Sequence, residues 1–105
     1  MKNKRLTLPL KRKWFEMIKS GVKKEEYREY TPYWCKRLLA KTVDGYDGYK
    51  DFVEVEFTLG YPRKDDLTRR LVFSNPKIRY GFSKHGPEWG AVKDKGYFII
   101  TWDNN

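Results

Sequence analysis

From Phe52 to Leu59 the chain alternates, with Val53, Val55, Phe57 and Leu59 on one parity and Glu54, Glu56 and Thr58 on the other. A period of two belongs to an extended strand whose faces meet different surroundings, so this stretch commits the chain to a sheet with one apolar and one wet side. Glu54 and Glu56 then read as solvent-facing strand positions rather than as a catalytic pair.

The other elements fall into place around that strand. Leu6, Leu8 and Leu10 alternate with Thr7 and Pro9, and Pro9, lacking a ladder donor, assigns this short strand to a sheet edge. Trp14, Phe15 and Ile18 lie at helical spacing between Lys11 and Ser20, and Gly21 is a ready left-handed cap. Lys23 to Tyr30 is almost entirely charged apart from its two tyrosines, and reads as an extended segment. Thr31-Pro32 starts a second helix that Cys35, Leu38 and Leu39 carry inward to about Lys41. Asp44 to Tyr49 reads as a loop with exposed aromatics. Arg69 to Ser74 and Lys77 to Phe82 read as two strands joined across Asn75-Pro76, the second with Ile78, Tyr80 and Phe82 inward. Lys84 to Gly96 is a loop, and Tyr97 to Trp102, apolar on both parities, suits a central strand. This order is α+β, and a twisted sheet of this size tends to curl toward a barrel.

Size and composition narrow the function. With 105 residues one core is the default, so residues 1–105 read as a single domain. Only 39% of residues are hydrophobic, but 17% are aromatic, and large rings bury enough area to hold a small core. No apolar run reaches the length of a membrane span and no signal-peptide core is visible, which sets the expectation of a cytoplasmic protein with no membrane partner. The single cysteine, Cys35, closes no disulfide, and no Cys/His cluster calls for a metal or other cofactor. A formal charge of +9 favours a polyanionic partner.

Chemistry concentrates in two places. In Gly21-Val22-Lys23-Lys24-Glu25-Glu26-Tyr27-Arg28, a strand would put Lys24, Glu26 and Arg28 on one face, and a carboxylate between two cations stays ionised and oriented. The loop Lys84-His85-Gly86-Pro87-Glu88-Trp89-Gly90 carries the only histidine, which reads as an exposed loop residue, and Trp89, which suits a core plug as well as a stacking platform.

The run from Lys11 to Gly21, followed by Gly21, Lys23, Glu26 and Arg28 in a Gly-x-Lys-x-x-Glu-x-Arg arrangement, resembles the ASCH signature. Pro87-Glu88-Trp89-Gly90-Ala91 and the terminal Tyr97-Phe98-Ile99-Ile100 also resemble the approach to the family's closing strand and that strand itself. The resemblance implies a PUA-like fold: a small curled or closed, mostly antiparallel β-barrel with two short helices, with a cleft lined by the charged segment and RNA or a nucleoside or nucleotide as ligand. Lys23, Lys24 and Arg28 would then meet phosphate or a base edge, Glu26 would orient them, Tyr27 or Trp89 would stack, and Glu88 joins the candidate ligand-binding set. One branch of the family removes acyl groups from modified cytidine with a lysine, a threonine and a later glutamate; Lys23 matches that lysine, and Glu26 stands in the threonine slot. Another branch is associated with RNA cleavage. The alternative to a binding module is therefore a metal-independent hydrolase with Lys23 and Glu26 as its catalytic pair. A third reading is a protein-interaction adaptor presenting Tyr30, Tyr33, Trp34, Tyr46 and Tyr49.

Overall fold

The alternating strand takes its place in a five-stranded, strongly curled sheet. The computed structural model describes residues 3–103. In chain order the elements are β1 (Asn3–Leu10), α1 (Arg12–Lys19), β2 (Glu26–Arg28), α2 (Pro32–Leu38), β3 (Leu39–Thr42), β4 (Gly45–Tyr49), β5 (Phe52–Leu59), β6 (Arg70–Phe82) and β7 (Gly96–Asp103). Short 3₁₀ turns occupy Leu67–Arg69 and Pro87–Trp89. The sheet order is β1-β5-β6-β7-β2; β1 runs parallel to β5, with Leu8 opposite Phe57, and every other pairing is antiparallel. The architecture is α+β, and the mostly antiparallel sheet forms a half-barrel carrying two helices.

The curl wraps one face around the main core. Leu6, Leu8 and Leu10 of β1, Val55 and Phe57 of β5, and Phe98 and Ile100 of β7 meet Phe15 and Ile18 of α1 and Cys35 and Leu38 of α2. Each fully buried side chain of this kind contributes roughly 1.5–3 kcal/mol. On β7 the opposite parity is also buried, because Tyr97 and Ile99 pack with Tyr27, Ala91 and Trp89 in a second cluster. A run apolar on both sides is what a strand between two layers requires.

The end of α1 and the start of α2 fall where their chemistry says they should. At the end of α1, Gly21 adopts φ +84°, and the backbone amides of Val22 and Lys23 donate to the Met17 carbonyl, a left-handed cap that turns the chain sharply back. At the start of α2, the Thr31 hydroxyl accepts from the Trp34 amide at 3.3 Å and Pro32 occupies the first turn.

Several expectations need correction. Helix α2 stops at Leu38 rather than Lys41, and the aspartate-glycine loop is part of an exposed β3–β4 hairpin. Residues 70–82 form one strand, not two. A register shift between Ser74 and Lys77, with Asn75 at φ 53°, absorbs the Asn-Pro pair as a bulge. Tyr80 and Phe82 are exposed rather than inward, as is Val53. Glu56 and Thr58 are buried, at 5% and 3% exposure, so the second face of β5 is not the open surface that alternation implied. Glu56 accepts from Arg5 of β1 and Arg70 of β6, and Arg70 in turn donates to the carbonyls of Pro62 and Arg63.

Candidate functional site

The half-barrel leaves β1 and β2 as its two outer strands, and no ladder joins them among the described residues. A side chain spans the gap. Arg28 of β2 donates through Nη2 to the Pro9 carbonyl of β1 at 3.1 Å and through Nη1 to its neighbour's carbonyl at Tyr27. Two residues earlier on β1, the Thr7 carbonyl accepts from Arg37 of α2 at 3.3 Å. Carbonyls two residues apart point the same way from a strand, so the open edge of β1 is satisfied by two guanidiniums.

A cleft of about 260 Å³ opens in this seam, lined by Lys11, Trp14, Lys23, Glu26, Arg28 and Gly90 among others. At its floor, Glu26 Oε1 accepts from Lys23 Nζ at 2.8 Å and from the Tyr27 amide at 3.0 Å, while Arg28 Nη1 lies 3.0 Å from Oε2. The glycine cap on α1 makes this possible by reversing the chain so that Lys23 approaches Glu26. Lys23 is only 1% exposed and Glu26 4%. Burial holds the Lys23 ammonium below its ordinary pKa, opposed by the attraction and hydrogen bond of Glu26, with repulsion from Arg28 adding to the lowering. Two cations around one carboxylate leave the trio with an excess positive charge.

Trp14 forms one wall. Lys23 Nζ lies 4.6 Å from its ring centroid and Lys13 Nζ 4.8 Å, both within cation–π range. Gly90 permits this packing: at φ +85° a side chain is already strained, and a Cβ there would stand 3.0 Å from Trp14 Cζ2. Lys11, at the rim, caps α1 with an extended backbone, no capping side chain supports the helix start, and its first turn holds no acidic residue. The dipole of α1 therefore adds positive potential at the cleft.

The candidate residues separate. Lys23, Glu26 and Arg28 come together as one unit, and Tyr27 lines the same cleft. Tyr27 is not a free platform: its ring packs on Tyr97 at 5.6 Å, and its hydroxyl donates to Glu25 at 2.8 Å. Burial first, and Glu25 second, push that phenol well above its ordinary pKa. Lys24 is exposed and lies outside strand β2; it lines a separate small hollow with Gly21 and Trp102, so the expected sharing of a face with Glu26 does not occur. Glu88 and Trp89 do not line the cleft. Glu88 accepts from the Gly86 amide at 2.8 Å, and Trp89 stacks on His85 at 3.7 Å while packing against the second core cluster. Sequence reasoning missed Trp14 and Lys11. The signal available for them was the run Lys11-Arg12-Lys13 at a helix start, where the dipole disfavours cations.

Four of the five aromatics proposed as an adaptor surface divide between two places, and Tyr46 lies exposed on the β3–β4 hairpin. Tyr30 and Tyr49 line a hollow with Leu39, Tyr80 and Phe98, whereas Tyr33 and Trp34 border a groove beside the seam.

No family model, curated protein or solved structure matches the chain.

Proposed function

We propose that this chain binds RNA or a nucleotide in the cleft between β1 and β2, with Arg28 and Lys11 facing the phosphate, Lys23 adding its charge from the floor and the Trp14 wall bordering the base. One observation carries this reading: a glutamate–lysine pair is nearly fully buried at the floor of an open, positively charged cleft. Burying two ions costs more than a well-packed apolar pair of similar volume, so stability does not account for the arrangement. Orientation does. Glu26 holds Lys23 and Arg28 in fixed positions, the trio keeps an excess positive charge, and the uncapped start of α1 adds to it. The resemblance to ASCH domains and the charge of +9 point to the same ligand class.

Titration of uridine 5′-monophosphate and single-stranded hexauridylate, followed by tryptophan fluorescence, tests this. Both bind wild type, Arg28→Ala weakens both, and hexauridylate affinity falls between about 50 and 200 mM salt. Binding that ignores salt and the Arg28 substitution contradicts the reading.

A second reading rests on the lowered pKa of Lys23, the direction a general base requires. Here Lys23, when neutral, would accept the proton of a water attacking the acyl carbonyl of an N4-acylated cytidine, and Glu26 would relay that proton to N4 as the acyl C–N bond breaks, releasing cytidine and the carboxylic acid. Turnover of N4-acetylcytidine that disappears in Lys23→Met supports this reading, and no turnover by wild type retires it.

A further inference from the structure

A second cavity adjoins the cleft. It encloses about 450 Å³ and is bordered by Pro9, Tyr33, Trp34, Arg37 and Tyr61, together with two threonines. Pro9 belongs to both cavities. The Trp34 ring stands beneath both arginines of the seam, with Arg28 Cζ 5.1 Å and Arg37 Cζ 5.4 Å from its centroid. Both guanidiniums thus contact one indole, with Arg28 lining the cleft and Arg37 the second cavity.

The groove has the chemistry of a nucleotide subsite rather than of a core defect. Tyr61 is 93% exposed and Tyr33 59%, although burying a ring is worth more than leaving it in water. Arg37 hydrogen-bonds two neutral oxygens, the Tyr33 phenol at 2.9 Å and the Thr7 carbonyl, so its charge is not neutralised by those partners. Exposed rings beside an arginine on a basic protein form the pattern used to stack successive bases while tracking the backbone. The groove's continuity with the seam and its charge favour a single strand over an apolar peptide as occupant.

We infer that the Tyr33–Trp34–Arg37–Tyr61 groove is a second nucleotide subsite, contiguous with the Lys23–Glu26–Arg28 cleft, so that the ligand is a single-stranded oligonucleotide crossing β1 at Pro9 rather than an isolated nucleotide. This rests on the nucleotide-binding reading of the cleft. Tyr61 stacks the neighbouring base, and Arg37 meets the phosphate between the two.

The test compares uridine 5′-monophosphate with single-stranded hexauridylate on wild type, Tyr61→Ala and Arg37→Gln. Wild type binds the hexamer at least tenfold more tightly than the monophosphate. Loss of Tyr61 weakens the hexamer roughly tenfold and leaves the monophosphate unchanged, in line with the usual worth of one base stack. Arg37→Gln keeps a side chain against Trp34 and weakens only the hexamer, with a shallower salt dependence. Equal hexamer affinity in wild type and Tyr61→Ala overturns the second subsite while leaving the cleft reading intact. Failure of both probes on wild type, by contrast, removes the cleft reading and the inference with it. A wild-type dimer in sedimentation that Tyr61→Ala disperses shows that a second copy covers the groove and also overturns the inference.

Discussion

Among the described residues a buried glutamate sits between two cations twice, and the two arrangements differ in where their cations lie and in what they join. Glu56 sits within the sheet, flanked by Arg5 of β1 and Arg70 of β6, strands that already pair with its own. The side chains of its partners are 44% and 19% exposed, so both cations keep part of their hydration. Glu26 sits on β2, which pairs with β7 but has no ladder to β1 among the described residues, and its lysine is shut away from water. The first arrangement reinforces pairing that the backbone already makes. The second bridges a gap the backbone leaves open, beside a cleft, and holds its charges at a net cost in stability. On the proposed reading, desolvation and place in the topology, not composition, set the Glu26 trio apart from the Glu56 trio.

The largest expected contrast is between Glu26→Ala and Glu56→Ala. Removing Glu26 strands a buried ammonium, and chemical denaturation should show a loss of about 3–5 kcal/mol. Glu56→Ala leaves Arg5 able to reach water and Arg70 still bonded to the Pro62 and Arg63 carbonyls, and the loss should be smaller, about 1–3 kcal/mol. Equal losses would break the distinction.

The double substitution Lys23→Met with Glu26→Leu sharpens it. Replacing the buried pair by apolar side chains of similar size should leave stability unchanged or raise it by about 1–4 kcal/mol, while hexauridylate binding is lost. A protein that binds normally after this change has its site elsewhere.

The pH dependence follows from Lys23. Its folded pKa lies below the ordinary value of 10.5, so between the two values the unfolded chain binds the extra proton and stability rises with pH across that window. Below the folded value both states hold the proton, and the cost of the buried charge is constant. Denaturation midpoints measured from neutral to alkaline pH should climb more steeply for wild type than for the double variant.

The smallest effect belongs to the exposed end of the Glu56 network. Glu54→Ala removes a partly solvated pair with Arg5 while Arg5 stays on Glu56, and should cost about 1 kcal/mol or less without changing ligand affinity.

Much of this fold is visible in local patterning. Pro9 on an edge strand, Gly21 as a left-handed cap, Thr31 as a helix start and Tyr97 to Trp102 as an inner strand each follow from backbone chemistry that acts over a few residues. The burial of Glu56 was not legible, because its partners Arg5 and Arg70 are brought in by register on neighbouring strands. Nor was the continuity of β6, since a bulge at Asn75 can carry a proline that a regular central strand cannot. Within the site, spacing brought Lys23, Glu26 and Arg28 to notice, but misplaced Lys24, which a longer β2 would have put beside them. Trp14 and Arg37 reach the seam from the helices that follow β1 and β2, and no local pattern ties them to residues on the opposite edge of the sheet.

Backbone and indole chemical shifts recorded while uridine 5′-monophosphate is added test the central claim most directly. The account predicts that the largest changes fall on Lys11, the Trp14 indole, Tyr27 and Gly90 around the seam, with Arg5, Glu56 and Arg70 unmoved. Changes centred on the Arg5–Glu56–Arg70 face, with the seam unmoved, would contradict it.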